Sequence, residues 1–225
     1  MAQDIIIKNG KILDGTGNPY FLADIGITQG MITKISTNLR TDMDDIIVVD
    51  AKRLFISPGF IDIHSHGDMS LIYDQKLECL AQQGITTIVV GNCGMSYAPL
   101  NPEKDKYFNK AFEVKEKIPW HTFKEYLDAV ENQGSSLNVV PLVGFGIVRQ
   151  SVLEDATRSP SKKELEQMQS YIEEAMQAGA YGISTGLIYP PQTHAKTQEI
   201  IECAKIAGNY GGLYFSHMRN EGNYV

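Results

Sequence analysis

The amino-acid sequence predicts an α/β protein in which a small β-domain precedes a parallel barrel or open sheet. Two patterns lead to this prediction. Residues 4–57 consist of short β-type runs that are separated by turns containing Gly or Asp. After Pro58 the pattern changes to strands that alternate with amphipathic helices, which is typical of βα units. We therefore expect one domain over residues 1–57 and a second over residues 58–225.

The first region contains short runs rich in apolar and β-branched residues, each bounded by turn residues. Such runs predict the strands of a small β-domain. Their bounds are Ile5–Lys8, Ala23–Thr28, Met31–Ser36, Ile46–Asp50 and Leu54–Ser57.

The second region contains five predicted strands and well-marked helices. The strands lie near residues 60–64, 85–90, 138–143, 181–184 and 213–217. Thr122 with Glu125, and Ser161 with Glu164, have the spacing of a helix capping box. Each box precedes an apolar stripe that we assign to the core: Phe123, Tyr126, Leu127 and Val130 in the first helix, and Leu165, Met168, Ile172, Ala175 and Met176 in the second. The connection over residues 97–121 is unusually long and could border an active site.

Composition and charge narrow the functional classes. The 225 residues are 43% hydrophobic and 21% charged, which is typical of a soluble globular protein. The formal net charge is −7 and no block of Lys and Arg occurs, which argues against nucleic acid or an anionic membrane as a partner. We therefore expect a small-molecule partner.

The sequence favours a cytoplasmic location. It contains no run of ~18 consecutive apolar residues and no basic segment leading into an apolar one at Met1. Cys79, Cys93 and Cys203 are odd in number and lack Cys-x-x-Cys spacing, which predicts reduced thiols.

A pair of histidines gives the strongest functional signal. In the run Phe60–His66, His64 and His66 alternate, and alternating residues of a strand point to the same side. The pair is predicted at the carboxyl end of a short buried strand, where two imidazoles can share a metal. An isolated pair of this kind is also compatible with satisfied core histidines.

Further candidate ligands follow two later strands. Cys93 lies in Gly91-Asn92-Cys93-Gly94 after the strand 85–90. His217 is the last residue of the predicted strand 213–217. A thiolate together with neutral imidazoles is a ligand set that suits zinc. The sequence thus predicts a zinc site at converging strand ends.

Four segments together resemble the D-aminoacylase (N-acyl-D-amino-acid deacylase) family of the amidohydrolase superfamily: Pro58–His66, Gly91–Gly94, Gly182–Pro191 and Ser216–Gly222. The resemblance implies a (β/α)8 TIM barrel flanked by a β-sandwich built from both termini. Because such a barrel occupies roughly 250 residues, residues 58–225 would form an incomplete barrel, its N-terminal part. Residues 1–57 would form the sandwich without its C-terminal strands. We therefore expect this chain to be a truncated enzyme. Self-association could cover the open edge of its incomplete barrel.

The implied function is zinc-dependent hydrolysis of the amide bond of N-acyl-D-amino acids. The implied ligands are His64, His66, Cys93 and His217, while the family's catalytic aspartate would lie beyond Val225. A carboxylate that orients a metal-bound imidazole is a common arrangement, and we expect this role for Asp68. Substrate contacts are expected from three residues at the mouth of the site: Tyr189, Arg219 and Glu221.

Two alternatives stay open. A cyclic-amide hydrolase, similar to dihydroorotase or hydantoinase, typically uses a carboxylated lysine, and no lysine follows the fourth predicted strand directly. An inactive fragment with only a metal-binding or interaction role is the second alternative. The family commonly has histidine where Phe145 stands, and Arg149 nearby is expected to form a structural salt bridge.

Overall fold

The computed structural model describes residues 4–42, 45–101 and 118–223, so most of the long connection predicted over 97–121 lies outside the described residues. The chain divides into two compact units, Met1–Gly59 and Phe60–Val225. Within the described ranges, no helix has the length and apolar character needed to cross a membrane. All three cysteines are free thiols; Cys79 is exposed, and Cys93 and Cys203 are buried.

The described part of the first unit forms one five-stranded mixed sheet with the order β3-β2-β1-β4, in which β5 also pairs with β1. Its strands are β1 Ile5–Ile12, β2 Phe21–Thr28, β3 Met31–Ser36, β4 Ile47–Asp50 and β5 Phe55–Ile56. β1 continues beyond the predicted end at Lys8 because a register irregularity between Ile7 and Gly10 lets the pairing with β2 resume. From the sequence, this position is interpreted as a turn that ends the strand.

The second unit consists of parallel strands in chain order, connected by helices. β6 Phe60–Asp62, β7 Ile85–Val90 and β8 Asn138–Pro141 form one sheet, and β9 Val143–Gly144, β10 Gly182–Gly186 and β11 Leu213–His217 form the next. The predicted strand 138–143 is therefore split. Only Leu142 separates its two parts, and its N–H donates to the carbonyl of Val90 at 3.0 Å. The prediction of successive parallel βα units is confirmed.

The helices of this unit are α1 Ser70–Tyr73, α2 Glu78–Ala81, α3 Phe123–Gln133, α4 Phe145–Val152, α5 Lys162–Ala178 and α6 Thr197–Asn209. Both predicted capping boxes are present, at the starts of α3 and α5. The predicted stripes pack into one large core, with Leu127 and Leu165 at its partly buried edge. α5 ends at Gly179, whose φ of 118° is readily available only to glycine.

The strand that leads to the histidine pair differs from the prediction. β6 ends at Asp62, two residues before His64, because the Asp62 carboxylate accepts the N–H of His64 at 3.1 Å and turns the chain. β6 is also not buried, since Phe60 and Ile61 are 60% and 62% exposed. Within the part of the chain that the structure describes, it pairs on one side only, with β7.

A buried ion pair joins α4 to α6. Arg149 is fully buried, and its Nε donates to Glu199 Oε1 at 2.7 Å. Its remaining N–H groups donate to the carbonyls of Ala156, Arg158 and Pro191. The expected structural salt bridge of Arg149 is thereby confirmed.

We predict that Glu199→Gln lowers the free energy of unfolding by about 3 kcal/mol, because it leaves the buried guanidinium charge without its counter-charge. The exposed pair Lys124–Asp128 provides the control, and Asp128→Asn should change stability by no more than about 0.5 kcal/mol. Chemical denaturation of both variants measures the difference. Equal losses would contradict the role assigned to the buried pair.

Candidate metal centre

His64 and His66 lie in the loop that follows β6. Their ring centroids are 5.3 Å apart and the rings meet edge to face. Both residues are exposed, whereas Ser65 between them is buried and its N–H donates to Val89 of β7 at 3.0 Å. The pairing of this loop with the end of β7 therefore holds both imidazoles over the same edge of the sheet.

Cys93 lies in the 3-10 turn Asn92–Gly94 directly after β7. Its backbone is left-handed, with φ 56° and ψ 25°, a conformation that costs a non-glycine residue about 1–3 kcal/mol. The flanking residues Gly91 and Gly94 also have positive φ, 77° and 70°. The turn points the buried Cys93 side chain toward the histidine loop, and Sγ lies 3.3 Å from Nε2 of His64.

The turn lies so close to neighbouring backbone that side chains have no room. A Cβ at Gly91 would lie 2.0 Å from the carbonyl oxygen of Leu142, and one at Gly144 would lie 2.5 Å from the carbonyl carbon of Gly94. A Cβ at Gly186, the last residue of β10, would lie 2.3 Å from the carbonyl oxygen of Cys93. Glycine at these positions therefore lets the ends of β7, β9 and β10 converge on the turn.

His64, His66 and Cys93 form a cluster with metal-binding potential. One ligand atom from each of the three lies within 4.8 Å of the others. Two imidazole nitrogens and a thiolate form a borderline-soft donor set that suits zinc. The donor chemistry and the spacing of these residues fit a single metal ion.

His217, the last residue of β11, adjoins this cluster at Cys93. Its Nδ1 lies 3.7 Å from Sγ, and its Nε2 lies 2.5 Å from Oε1 of Glu221. The ring of Tyr189 meets the imidazole edge to face at a centroid distance of 5.0 Å. Contacts with three side chains thus fix the orientation of the His217 ring.

Burial shifts the pKa values of two cluster members in ways that matter for metal binding. Desolvation, together with the nearby His64, lowers the pKa of His66 and so favours its neutral, ligating form. Desolvation raises the pKa of the Cys93 thiol. A bound cation opposes this second shift, because metal coordination deprotonates a thiol.

Asp68 is buried, and burial raises the pKa of its carboxyl to about 7. The backbone N–H groups of Asp68 and Gly91 act in the opposite direction. Its Oδ1 has no hydrogen-bond partner among the described residues. The expected orienting role toward an imidazole stays a prediction.

Two of the three residues expected at the substrate mouth, Tyr189 and Glu221, contact His217. Tyr189 packs on its ring and is 38% exposed, so its side chain remains accessible. Glu221 binds the imidazole directly. The guanidinium of Arg219 donates to the carbonyls of Thr193 at 2.7 Å and Ala195 at 3.1 Å, which ties the loop after β11 to the segment after β10.

Sequence reasoning missed two buried side chains that hold the cysteine turn. Ser184 in β10 accepts the N–H of Gly94 at 2.9 Å and donates to the carbonyl of Gly91. Gln192 accepts the N–H of Gly186 at 2.7 Å and donates to the carbonyl of Cys93 at 3.0 Å. Neither residue belongs to a spacing motif with Cys93, since 91 and 99 positions separate them from it along the chain.

The chain is similar in sequence to known families and proteins. The family model described as "Amidohydrolase family" matches residues 47–205. The chain is 35% identical over 223 residues to the N-acyl-D-aspartate deacylase of Alcaligenes xylosoxydans xylosoxydans, an alignment that covers 99% of this chain and 44% of the relative. It is also 35% identical over 225 residues to the D-aminoacylase of the same organism, covering 99% of this chain and 46% of that protein.

A solved structure shows the same arrangement of the backbone. The N-acyl-D-glutamate deacylase of Bordetella bronchiseptica, in complex with zinc and a phosphonate inhibitor that mimics the tetrahedral intermediate, matches with a TM-score of 0.90 at 35% identity. The match covers 98% of this chain and 46% of that chain. The chain spans about half the length of the curated relatives it matches.

We predict that Gly91→Ala destabilises the chain more than Gly211→Ala, by about 1–3 kcal/mol. Both glycines have positive φ, 77° and 71°, so both variants carry backbone strain. Only the Cβ at position 91 collides with backbone, whereas position 211 is open. Denaturant unfolding of the two variants measures the difference, and equal losses would show that the close approach at Leu142 is unimportant.

Proposed function

This chain belongs to the amidohydrolase family, and from that premise we propose that it forms the metal-binding part of a zinc-dependent deacylase of N-acyl-D-amino acids. The observation that carries the proposal is the meeting of His64, His66 and Cys93 within 4.8 Å. Relatives named for N-acyl-D-aspartate, N-acyl-D-glutamate and D-amino-acid substrates support this substrate class.

We also propose that the two parallel sheets are consecutive parts of a (β/α)8 barrel, incomplete within this chain, and that residues 1–57 are part of a β-sandwich. The parallel strands in chain order support the barrel. Among the described residues, the outer strands β6 and β11 each pair on one side only, and residues such as Phe60, Ile61 and Leu213 are more than half exposed there. The isolated chain is therefore proposed to self-associate, which sedimentation analysis tests directly. A cytoplasmic location stays a prediction.

His64, His66, Cys93 and His217 would hold the zinc. When bound, zinc supplies a Lewis acid that polarises the acyl carbonyl and activates water toward it. The neutral form favoured at His66 keeps this imidazole available as a ligand. Cys93 is buried, and its Sγ contacts Nε2 of His64 at 3.3 Å.

The neighbouring residues set the proton position and orientation of His217. The carboxylate of Glu221 accepts a proton held at Nε2, which leaves the Nδ1 lone pair directed toward Cys93. Tyr189 would bind the substrate's carboxylate through its hydroxyl, and Arg219 would hold the loop that carries His217 against the segment that carries Tyr189. No described residue is assigned the role of the family's aspartate, which the resemblance places beyond Val225.

We predict that the purified chain binds zinc and that Cys93→Ala lowers its zinc affinity by more than about 100-fold, because the thiolate is the only anionic ligand of the cluster. Cys79→Ala, which removes an exposed thiol, should leave the affinity unchanged. Chelator competition followed by elemental analysis measures both. Full zinc retention in Cys93→Ala would eliminate the proposed site.

We predict that the full-length gene product hydrolyses N-acyl-D-amino acids and leaves the L-enantiomers, hydantoins and dihydroorotate intact. His66→Ala should lower kcat/KM by at least about 100-fold, since metal activation contributes several kcal/mol to such reactions. His121→Ala, at an exposed histidine before α3, is the control and should retain activity. Turnover of the cyclic amides instead would favour the hydantoinase-like alternative. Zinc binding without turnover by the 225-residue chain alone would favour the inactive fragment with only a binding role.

A further inference from the structure

We propose that Gln192 is a positioning residue that fixes the Cys93 thiol in its metal-binding place. The proposal deepens the proposed function and rests on it for the identity of the metal, although the hydrogen bonds that carry it do not depend on a metal. Gln192 lies in the 3-10 turn Gln192–His194 after β10 and is 1% exposed. No sequence pattern marks it as part of the site.

The backbone of Cys93 requires an external restraint. A left-handed conformation is sparsely populated for a residue with a side chain, and it persists only where the surroundings determine it. Ser184 restrains the peptide groups on either side, at Gly91 and Gly94. The carbonyl of Cys93 itself is held by the amide of Gln192 at 3.0 Å.

Both ends of the Gln192 amide are engaged, and their chemistry fixes the orientation of the group. The N–H of Gly186 can only donate, so it faces Oε1 at 2.7 Å, and the carbonyl of Cys93 can only accept, so it faces Nε2. Gln192 therefore bridges the cysteine turn to the end of β10. An acid at this position would lack the donor, and an apolar side chain would leave two buried backbone groups unpaired.

Glycines create the slot that the amide occupies. A Cβ at Gly94 would lie 2.0 Å from Oε1 of Gln192, and one at Gly146 would lie 2.6 Å from Nε2. The amide therefore fills the space between the turn and the first residues of α4. This close fit limits the movement of the Cys93 carbonyl, and hence the direction of Sγ toward His64.

The segment that carries Gln192 is itself anchored on both sides. The fully buried Arg149 donates to the carbonyl of Pro191 at 3.4 Å, and Arg219 donates to that of Thr193 at 2.7 Å. Arg219 comes from the loop after β11, next to His217. The same short segment thus fixes the cysteine turn and restrains the loop beside the neighbouring histidine.

The test is the alkylation rate of each cysteine in the metal-free chain, followed by mass spectrometry. Gln192→Leu should increase the rate at Cys93 by about tenfold, as expected for the loss of a buried hydrogen bond, while Cys203 in the core stays protected. Exposed Cys79 provides the internal reference. Gln169→Leu is the matched control, because Gln169 donates to the carbonyl of Glu202 at 3.1 Å, away from the turn.

Gln192→Glu keeps the size of the side chain and the acceptor for Gly186, and it covers the case in which the leucine variant does not fold. This variant should also expose Cys93. Equal alkylation rates at Cys93 in wild type and in the folded Gln192 variants would overturn the proposal. A parallel increase at Cys203 would also overturn it, since that result would indicate general loosening of the fold.

Cobalt binding separates this proposal from the proposed function. If the wild-type chain binds Co²⁺ with a thiolate charge-transfer band, Gln192→Glu should weaken binding by about 10–100-fold and reduce that band. An unchanged band and affinity would overturn the positioning role. If the wild-type chain binds no metal, the proposed function fails, and the alkylation rates still decide the role of Gln192.

Discussion

The close approach of backbone segments around Cys93 is the constraint on which the rest of the site depends. The turn after β7 lies against the ends of β9 and β10 at distances that exclude even a methyl group at Gly91, Gly144 and Gly186. Hydrogen bonds from Ser184 and Gln192 then fix the peptide groups of the turn. As a result the thiol meets His64 at 3.3 Å although the histidine loop itself is exposed. The position of the cluster is therefore fixed mainly by Cys93, its buried member.

The proposed ligands differ in how firmly their surroundings hold them. Cys93 and its supporting residues are buried, so the turn has little freedom. His64 and His66 lie on the solvent side and are held mainly through the buried Ser65 between them. The imidazoles of His64 and His66 are therefore the more accessible of the proposed ligands.

Local patterns were sufficient to predict much of this molecule. The capping boxes at Thr122 and Ser161, the stripe of α5 and the parallel strands at 85–90 and 213–217 all follow from short-range rules. The early end of β6 was missed because the Asp62 side chain competes with strand pairing, and periodicity does not report such competition. Gln192 and Ser184 were missed because their partners in the cysteine turn are backbone groups at least 90 residues away. Only a tertiary arrangement brings such groups together.

The separation of the proposed ligands along the chain also sets the order in which they are synthesised. His64 and Cys93 are 29 residues apart and follow the adjacent strands β6 and β7, whereas His217 lies 124 residues beyond Cys93. During synthesis the thiol and the histidine pair leave the ribosome long before the last imidazole, and Gln192 emerges between them. The thiol of Cys93 in the growing polypeptide therefore lacks the contacts of Ser184 and Gln192 until β10 docks beside β9.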